Sequence, residues 1–330
     1  MTCADSTVIM PDALVIGMAL LVDLLIGDPR WLPHPVVMIG KLISQLEFFL
    51  RKNIRNEKIA GVLLLILTTG CAAGAAWLLL TLAQLVSSLF ALIMAIALSS
   101  TCLATRSLHK ESSLVADALI AGDIATARVK LSYIVGRDTE NLEPVEIWRA
   151  LVETVAENTS DGIIAPLFWL AVGGPVAAMA FKAVSTLDSM VGYKNERYLQ
   201  LGWASARMDD LLNFIPARLT ALLFVASAPL FGLSWRDSLR IALRDRLNHP
   251  SPNSAHPEAA AAGALRIRLG GTSSYGGRVS QKQFIGDPLS PIDCLSYNNM
   301  IRLMYASTVI MVIILIVAVF CLKGSYVTQL

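Results

Sequence analysis

Residues 59–105 read IAGVLLLILTTGCAAGAAWLLLTLAQLVSSLFALIMAIALSSTCLAT and contain no charged residue. One straight helix of this length would extend about 70 Å, whereas the hydrocarbon core of a bilayer is about 30 Å thick. The stretch must therefore fold back as two membrane spans of ordinary length, 59–81 and 82–105. The bend is predicted at a cluster of four polar residues, Thr81, Gln84, Ser87 and Ser88.

The composition of the whole chain agrees with a membrane protein. Of 330 residues, 55% are hydrophobic and only 16% are charged, whereas soluble domains carry about 25% charge. A net charge of only +2 excludes a strongly basic nucleic-acid binder. Five cysteines without C-x-x-C spacing indicate neither a disulfide framework nor a zinc site. The sequence predicts an all-α, polytopic integral membrane protein whose partner is a lipid bilayer and not a nucleic acid.

Further spans differ in the strength of their signal. Residues 303–322 are uncharged and form a clear span. Residues 8–27 lack a basic start and a cleavage site, so they predict a retained span and not a signal peptide. Residues 162–181 are interrupted by Gly173-Gly174-Pro175, and residues 219–235 are short. Each of these two segments either crosses the membrane or is re-entrant. All spans are assigned to one membrane domain, 1–330.

The charged residues fall into four polar blocks, 28–58, 106–161, 182–218 and 236–302. The first and last blocks are rich in Lys or Arg, which predicts that they face the cytoplasm, and the apolar hairpin returns the second block to the same side. The third block is balanced in charge, so its side stays open. Transporters place few charges, near the midplane. Long polar blocks favour an enzyme with helical and loop segments on the cytoplasmic side.

The most informative polar block contains EPVEIWRALVETVAENTSDG at residues 143–162. Proline near the start and glycine at the end predict a helix. On this helix five carboxylates fall within about 80° of one another at 100° per residue. They are Glu143, Glu146, Glu153, Glu157 and Asp161. Crowded carboxylates repel unless a cation compensates them, which indicates magnesium for a nucleotide. A solvated acidic face is the equally weighted alternative.

Other polar segments are less specific. FKAVSTLDSMVGYK at 181–194 suits phosphate or carboxylate binding at a helix end, or a simple capping turn. The segment 207–218 suits internal ion pairs or a phosphate site. LGGTSSYGGR at 269–278 suits a backbone nest for phosphate or a flexible turn. GDPRWLPHP at 27–35 is a rigid loop in which Asp28 and His34 are ligands or a structural turn. No Walker or dinucleotide-binding glycine motif is present in the sequence.

Five segments together resemble one known family, the adenosylcobinamide-phosphate synthases of cobalamin biosynthesis (the CbiB/CobD type). They are Asp23–Gly40, Arg149–Pro166, Lys182–Tyr198, Ala206–Arg218 and Ser251–Gly277. The resemblance runs through nearly the whole chain in order. It implies an ATP- and Mg²⁺-dependent ligase of the inner membrane, with an active site that faces the cytoplasm. The ligase would join adenosylcobyric acid to (R)-1-aminopropan-2-ol phosphate or ethanolamine phosphate, giving adenosylcobinamide phosphate. Other membrane enzymes of the late cobalamin pathway are candidate partners.

The implied chemistry assigns roles to particular residues. Glu153, Glu157 and Asp161 are the predicted metal ligands. The predicted catalytic residues are Asp188, His34 and Lys194. The predicted substrate- and phosphate-binding residues are Lys182, Arg207, Arg218, Asn158, Gly270, Gly271, Tyr275 and Arg278. Chemistry on one side of the membrane favours re-entrant segments at 162–181 and 219–235. The alternatives of other classes are a small-molecule permease that uses Asp23 and the Gly173-Gly174-Pro175 break, and a non-catalytic membrane assembly factor.

Overall fold

The computed structural model describes residues 12–28, 34–193, 195–275 and 277–327. In chain order the α-helices of these residues are α1 (Ala13–Leu25), α2 (Pro35–Asn53), α3 (Glu57–Val86), α4 (Ser88–Ser100), α5 (Thr105–Ile120), α6 (Ile124–Ser132), α7 (Pro144–Thr159), α8 (Ala165–Val191), α9 (Trp203–Leu212), α10 (Phe214–Ser227), α11 (Trp235–Asp245), α12 (Ala255–Leu265) and α13 (Cys294–Val327). A π-helical turn covers Ser160–Ile164, and a 3-10 turn covers Ala228–Phe231. Two antiparallel strands, β1 (Arg268–Tyr275) and β2 (Arg278–Gly286), form a hairpin between α12 and α13.

The predicted all-α, polytopic membrane architecture is confirmed. Five helical stretches of the described residues are long and apolar enough to cross a bilayer. They are Glu57–Val86, Ser88–Ile120, Pro144–Val191, Phe214–Phe231 and Cys294–Cys321. Helix α1 is apolar but has only 13 residues, fewer than the roughly 20 that an untilted span needs. The sequence analysis favoured re-entrant segments over full crossings at 162–181 and 219–235, and this arrangement stays a prediction.

The apolar stretch at 59–105 folds as two helices that meet at Ser87. The backbone of Ser87 is extended (φ −169°, ψ 155°), and its hydroxyl accepts a hydrogen bond from the Phe90 amide at 3.1 Å. Ser87 therefore ends α3 and caps α4, because an Ncap hydroxyl satisfies an amide that has no partner within the helix. The break therefore lies at Ser87 and Ser88, the last two residues of the polar cluster at which the sequence predicted the bend.

The chain divides into two compact units, and the assignment of all spans to one membrane domain stays a prediction. The first unit comprises Met1–Ala104, Ala165–Asn213 and Val312–Leu330, and the second comprises Thr105–Ile164 and Phe214–Met311. In the first unit α3 packs against α2, α4, α8 and α9. Helix α8 is discontinuous, because Gly174 has φ +68°, a left-handed value that favours glycine, and Pro175 follows it.

The core of the second unit lies around α12. Every residue from Ala255 to Leu265 is buried, and α12 packs against α7, α10, α11 and both strands. The helix consists mainly of alanine, which allows neighbouring backbones to approach closely. A Cβ added to Gly263 would lie 2.3 Å from the Asp237 carbonyl oxygen of α11. Small residues on α12 therefore bring several elements to one buried helix.

The glycine-rich segment lies mainly in a strand, an outcome that the sequence analysis did not consider. Residues 269–275 belong to β1, with a register shift in the pairing with β2 between Leu269 and Gly271. Gly270 and Gly271 have φ of +80° and +91°, values that L side chains rarely adopt. A bulge at this point bends the strand, and the next section shows what the bent backbone contacts.

Candidate functional site

Helix α7 carries the acidic motif and ends in an irregular turn. Pro144 occupies its first turn, and Leu151, Val152 and Val155 are fully buried. At the end of the motif the backbone widens into the π-helical turn Ser160–Ile164. Single π-turns inserted in α-helices are frequent at functional sites. The sequence motif and the irregular backbone therefore coincide.

The acidic face of α7 changes character along its length. Glu143 is exposed, and Glu146 forms an ion pair with Arg149 at 2.5 Å. Further along, Glu153 is only 5% exposed. A solvated acidic face thus describes the beginning of the helix but not Glu153. Burial of an unpaired carboxylate lowers the stability of the folded protein, so Glu153 is expected to have partners that compensate its charge.

Glu153 is held by a guanidinium and a backbone amide. Arg137 forms a buried ion pair with its Oε2, and the Gly270 amide donates to its Oε1 at 2.7 Å. The positive φ of Gly270 belongs to the bulge in β1, where a Cβ would lie 2.4 Å from the Gln283 carbonyl oxygen. The hairpin therefore requires glycine at this position to present its amide to Glu153. The structure brings these two predicted residues together, although the predicted partner of Gly270 was a phosphate.

Glu157 lies one turn further along α7 and is half-buried. Its Oε1 accepts a hydrogen bond from the Ser254 hydroxyl at 2.7 Å, and its Oε2 has no hydrogen-bond partner among the described residues. The amide of Asn158 is directed to its own helix, since Nδ2 donates to the Thr154 carbonyl oxygen at 2.9 Å. Asp161 is half-buried in the π-helical turn. Glu157 thus combines a position inside the acidic motif with one oxygen that is open to a ligand.

Glu258, on α12, is a further acidic residue that the sequence analysis missed. It is 4% exposed, and burial raises the pKa of its carboxyl well above the usual range, with the charges of Glu153 and Glu157 acting in the same direction. Lys282 and Arg137 act in the opposite direction. We call the three carboxylates and their two cations the carboxylate cluster: Glu153, Glu157, Glu258, Arg137 and Lys282. The missed signal was that Glu258 is the one charged residue in the sequence of α12, AHPEAAAAGAL.

Lys282 of β2 also contacts His249. Its Nζ lies 3.0 Å from Nε2 of His249, whose Nδ1 accepts a hydrogen bond from the Ser251 amide at 3.0 Å. Burial, and then the charge of Lys282, lowers the pKa of His249 to about 4. His249 is therefore uncharged at neutral pH, and the positive charges that face Glu258 come from Lys282 and Arg137.

The donor chemistry of the carboxylate cluster suits Mg²⁺, within limits that the geometry sets. Among the described residues, no group of three or more His, Cys, Asp or Glu side chains is placed to hold a metal ion. Both oxygens of Glu153 already accept hydrogen bonds. However, Mg²⁺ that accompanies a nucleotide usually takes one or two protein carboxylates and completes its shell with phosphates and water. The open oxygen of Glu157 fits that mode, and the three-residue metal site stays a prediction.

Four of the predicted phosphate-binding residues of the second unit lie on α10 and in the hairpin. Arg218 is half-buried, with its guanidinium 3.5 Å from the Phe214 ring centroid, and it donates to the Phe214 carbonyl oxygen at 2.6 Å. Gly271 lies in the bulge of β1 against the Phe284 ring. Tyr275 ends β1 and is 39% exposed, and its backbone pairs with that of Arg278 at the start of β2. Binding of phosphate by these residues stays a prediction.

The remaining predicted residues belong to the first unit. His34 caps α2, because its Nδ1 accepts a hydrogen bond from the Val36 amide at 3.3 Å, and its Nε2 lies 3.0 Å from Asp28 Oδ1. Since Nδ1 is an acceptor, the ring carries its proton on Nε2, which donates a hydrogen bond to Asp28. Both ring nitrogens of His34 are therefore engaged, one with the first turn of α2 and one with Asp28. Its predicted role as a base stays a prediction.

Three more of these predicted residues lie on α8 and α9 or just after α8. Lys182 is half-buried on α8, and Arg207 is exposed on α9. Asp188 is half-buried, and its Oδ1 is shielded from solvent without a hydrogen-bond partner in the part of the chain that the structure describes. Lys194 lies outside the described residues. The first unit thus carries a separate set of candidate catalytic and phosphate-binding groups.

Comparison with known proteins gives one consistent family. The model of the CobD/Cbib protein family matches residues 16–304. The chain is 69% identical over 322 residues to the cobalamin biosynthesis protein CobD of Pelobacter propionicus, covering 98% of this chain and 100% of that protein. It is 59% identical over 300 residues to CobD of Geobacter metallireducens, covering 91% and 94% of the two chains.

A more distant relative carries the second family name. The cobalamin biosynthesis protein CbiB of Salmonella typhimurium is 47% identical over 309 residues, covering 93% of this chain and 97% of that protein. No solved structure matches the chain. Because the family model and these relatives extend over nearly all of the sequence, including the acidic helix, the bulged hairpin and α12, this chain belongs to the CobD/CbiB protein family.

Proposed function

We propose that this multi-pass membrane protein acts in cobalamin biosynthesis as an ATP-dependent amide-forming ligase. Its substrates would be adenosylcobyric acid and (R)-1-aminopropan-2-ol phosphate, or ethanolamine phosphate, and its product adenosylcobinamide phosphate. The observation that carries the proposal is the carboxylate cluster, in which Glu153, Glu157 and Glu258 face Arg137 and Lys282 within one compact unit. Membership of the CobD/CbiB family supports the pathway.

The chemistry needs activation because a carboxylate is a poor electrophile for an amine. In the proposed reaction a carboxylate oxygen of the corrinoid attacks the γ-phosphorus of ATP, and ADP leaves. The amine then attacks the acyl carbon, phosphate leaves, and the ammonium proton passes to a base. Mg²⁺, when bound, would neutralise charge on the phosphates. Glu157 would hold the ion through its open oxygen, and Glu153 and Asp161 are the other two ligands that the sequence analysis predicted.

The proton that leaves the amine needs an acceptor in or near the site. Glu258 is a candidate for this role because its carboxyl is buried beside Glu153 and Glu157, which with burial raise its pKa and so make its ionised form a stronger base than an ordinary carboxylate. Lys282 and Arg137, which favour the ionised form of this carboxyl, lie on the other side of the balance. Asp188 and His34, the acceptors that the sequence predicted, remain alternatives in the first unit.

Purified protein in detergent tests the function directly. It is incubated with ATP, Mg²⁺, adenosylcobyric acid and aminopropanol phosphate, and the corrinoids are analysed by mass spectrometry. We expect adenosylcobinamide phosphate and one ADP for each amide formed. Protein that is monodisperse and binds the corrinoid, yet forms no amide with either amino alcohol phosphate, would contradict the proposal. A flux of the corrinoid into proteoliposomes without an amide product would favour the permease.

A further inference from the structure

The second unit contains a large cleft that lies outside the predicted site residues. Its volume is about 1130 Å³, and its walls come from α6, the segment that precedes α7, and the hairpin. Side chains that line it include Arg128, Ser132, Thr139, Thr272 and Val279. Pockets for drug-sized ligands are about 300–1,000 Å³. The cleft is therefore large enough for a ligand much bigger than an amino alcohol phosphate.

Arg128 is the unusual residue of this cleft. It is half-buried, and its Nε donates to the Leu142 carbonyl oxygen at 2.9 Å. Among the described residues, its terminal amino groups have no hydrogen-bond acceptor and no carboxylate partner. Its own carbonyl oxygen accepts a hydrogen bond from Thr139 Oγ1 at 2.9 Å, which fixes the backbone. A partly buried guanidinium held in place without a counter-ion is suited to bind an anionic oxygen group by two hydrogen bonds.

Hydrogen bonds also fix the wall of the cleft that the hairpin and the segment before α7 form. Asp138 joins the segment before α7 to the hairpin, since its amide donates to the Ser274 carbonyl oxygen at 2.8 Å. Its Oδ2 accepts hydrogen bonds from the Ser274 hydroxyl at 2.6 Å and from the Gly277 amide at 2.8 Å. The two walls are therefore preorganised, which lowers the entropic cost of binding.

One residue connects the cleft to the carboxylate cluster. Arg137 lines the cleft, and its guanidinium forms the buried ion pair with Glu153. A ligand that fills the cleft would thus contact the partner of Glu153. The cleft and the cluster are adjacent parts of one site within the second unit.

We infer that this cleft binds a large polar substrate and that Arg128 pairs with the carboxylate of that substrate. Resting on the proposed function, the substrate is the corrinoid, whose ring carries several amide side chains and one free carboxylate. The hydroxyl groups and backbone of the cleft supply hydrogen-bond partners for the amides, and Arg128 selects the acid. Arg128 is thus a specificity-determining residue that lies outside the acidic motif.

Equilibrium dialysis tests the inference on the full chain in detergent, without ATP, with cobyric acid followed by its own visible absorbance. Arg128→Ala should weaken the binding of cobyric acid ten-fold or more, and Arg128→Lys should weaken it less. Lys130→Ala is the matched control, because Lys130 carries the same charge on α6 but does not line the cleft. It should bind as the wild type does. Wild-type affinity in Arg128→Ala would overturn the inference.

A neutral corrinoid distinguishes charge recognition from packing. Cobinamide has an amide in place of the free carboxylate, so Arg128→Ala should leave its affinity unchanged. Equal weakening for cobyric acid and cobinamide would show that Arg128 does not bind the carboxylate and would overturn the inference. A loss of affinity for MgATP or for aminopropanol phosphate alone would overturn it as well.

The outcome is separable from that of the proposed ligase activity. If the wild type binds cobyric acid through Arg128 but forms no amide with ATP, the cleft stands and the ligase proposal fails. If amide forms at the wild-type rate and KM in Arg128→Ala, the ligase stands and the cleft assignment fails. Should Arg128→Ala not fold, judged by its melting temperature, the comparison of Arg128→Lys with Lys130→Ala decides.

Discussion

Helices α3 and α12 are both apolar and rich in small residues, yet their surroundings differ. Helix α3 directs long side chains outward, with Ile66 58% and Trp77 51% exposed. Helix α12 is buried on all sides and packs against other helices and the hairpin. Large outward-facing apolar side chains suit lipid, whereas alanine and glycine suit close packing of protein backbones. The same hydrophobicity therefore indicates an anchor in one unit and a packed core in the other.

Helix α12 also differs from α3 in what it buries. Glu258 is the one charge in its sequence, and it faces the carboxylates of α7. In the hairpin of α3 and α4, no charged residue interrupts the apolar sequence after Lys58. If the comparison is right, changes around α12 affect chemistry and packing, and changes on the outer face of α3 affect neither.

The largest expected effect is on activity. Glu157→Gln removes the open carboxylate oxygen of the cluster, so we expect a loss of ligation of about 100-fold or more, comparable to the loss of a transition-state contact. The assay is amide formation by purified protein under saturating substrates. The control is Leu79→Ala on the exposed face of α3, which should retain full activity. Full activity in Glu157→Gln would contradict its assignment as a metal ligand. A large loss of activity in Leu79→Ala would contradict the view that only the surroundings of α12 serve the chemistry.

A smaller effect is expected on stability when a glycine in each of the two helices is replaced by alanine. Gly263→Ala places a methyl group 2.3 Å from the Asp237 carbonyl oxygen, so we expect a loss of about 1–3 kcal/mol from overpacking. A methyl group at Gly74 of α3 meets no atom within 4 Å. Gly74→Ala should therefore be neutral or stabilising by up to about 1 kcal/mol through helix propensity. Thermal unfolding in one detergent measures both, and equal shifts would contradict the packing of α12.

The smallest expected effect depends on pH and concerns Glu258. Because its pKa is raised in the folded protein, the folded state keeps a proton that the unfolded chain has released above its ordinary pKa of 4.5. The free energy of unfolding therefore falls as pH rises above that value towards the folded pKa. Glu258→Gln removes this loss, so its Tm should exceed that of the wild type by an amount that grows as the pH rises above 5. The gain is about 2–4 °C for each kcal/mol relieved.

A matched variant and an activity assay complete the test of Glu258. Glu143→Gln changes an exposed carboxylate at the residue that precedes α7 and should not reproduce the pH-dependent gain. If Glu258 also accepts the amine proton, Glu258→Gln should lose ligation while it gains stability. A Tm difference that stays constant from pH 5 to pH 8 would contradict the raised pKa, and retained ligation would return the base to Asp188 or His34.

Features that depend on neighbouring residues were predictable from the sequence. The membrane class, the fold-back near Ser87 and the helix over 144–159 each depend on the hydrophobicity or capping of a few adjacent residues. The role of Gly270 was not predictable in the same way. Its glycine-rich segment suited a nest or a turn, and pairing with β2 made it a strand whose amide binds Glu153.

The sequence by itself determined that this protein is a helical membrane protein, because transfer of apolar residues to lipid is favourable segment by segment wherever the rest of the chain lies. It also supplied the acidic motif of α7 and the family. Only the tertiary structure decided that Glu258 faces Glu153 and Glu157 and that Arg137 pairs with Glu153 and lines the cleft of Arg128. The physical reason is distance along the chain. About 100 residues separate α7 from α12 in the sequence, and close packing of α12 on its neighbours brings their charges within interaction range.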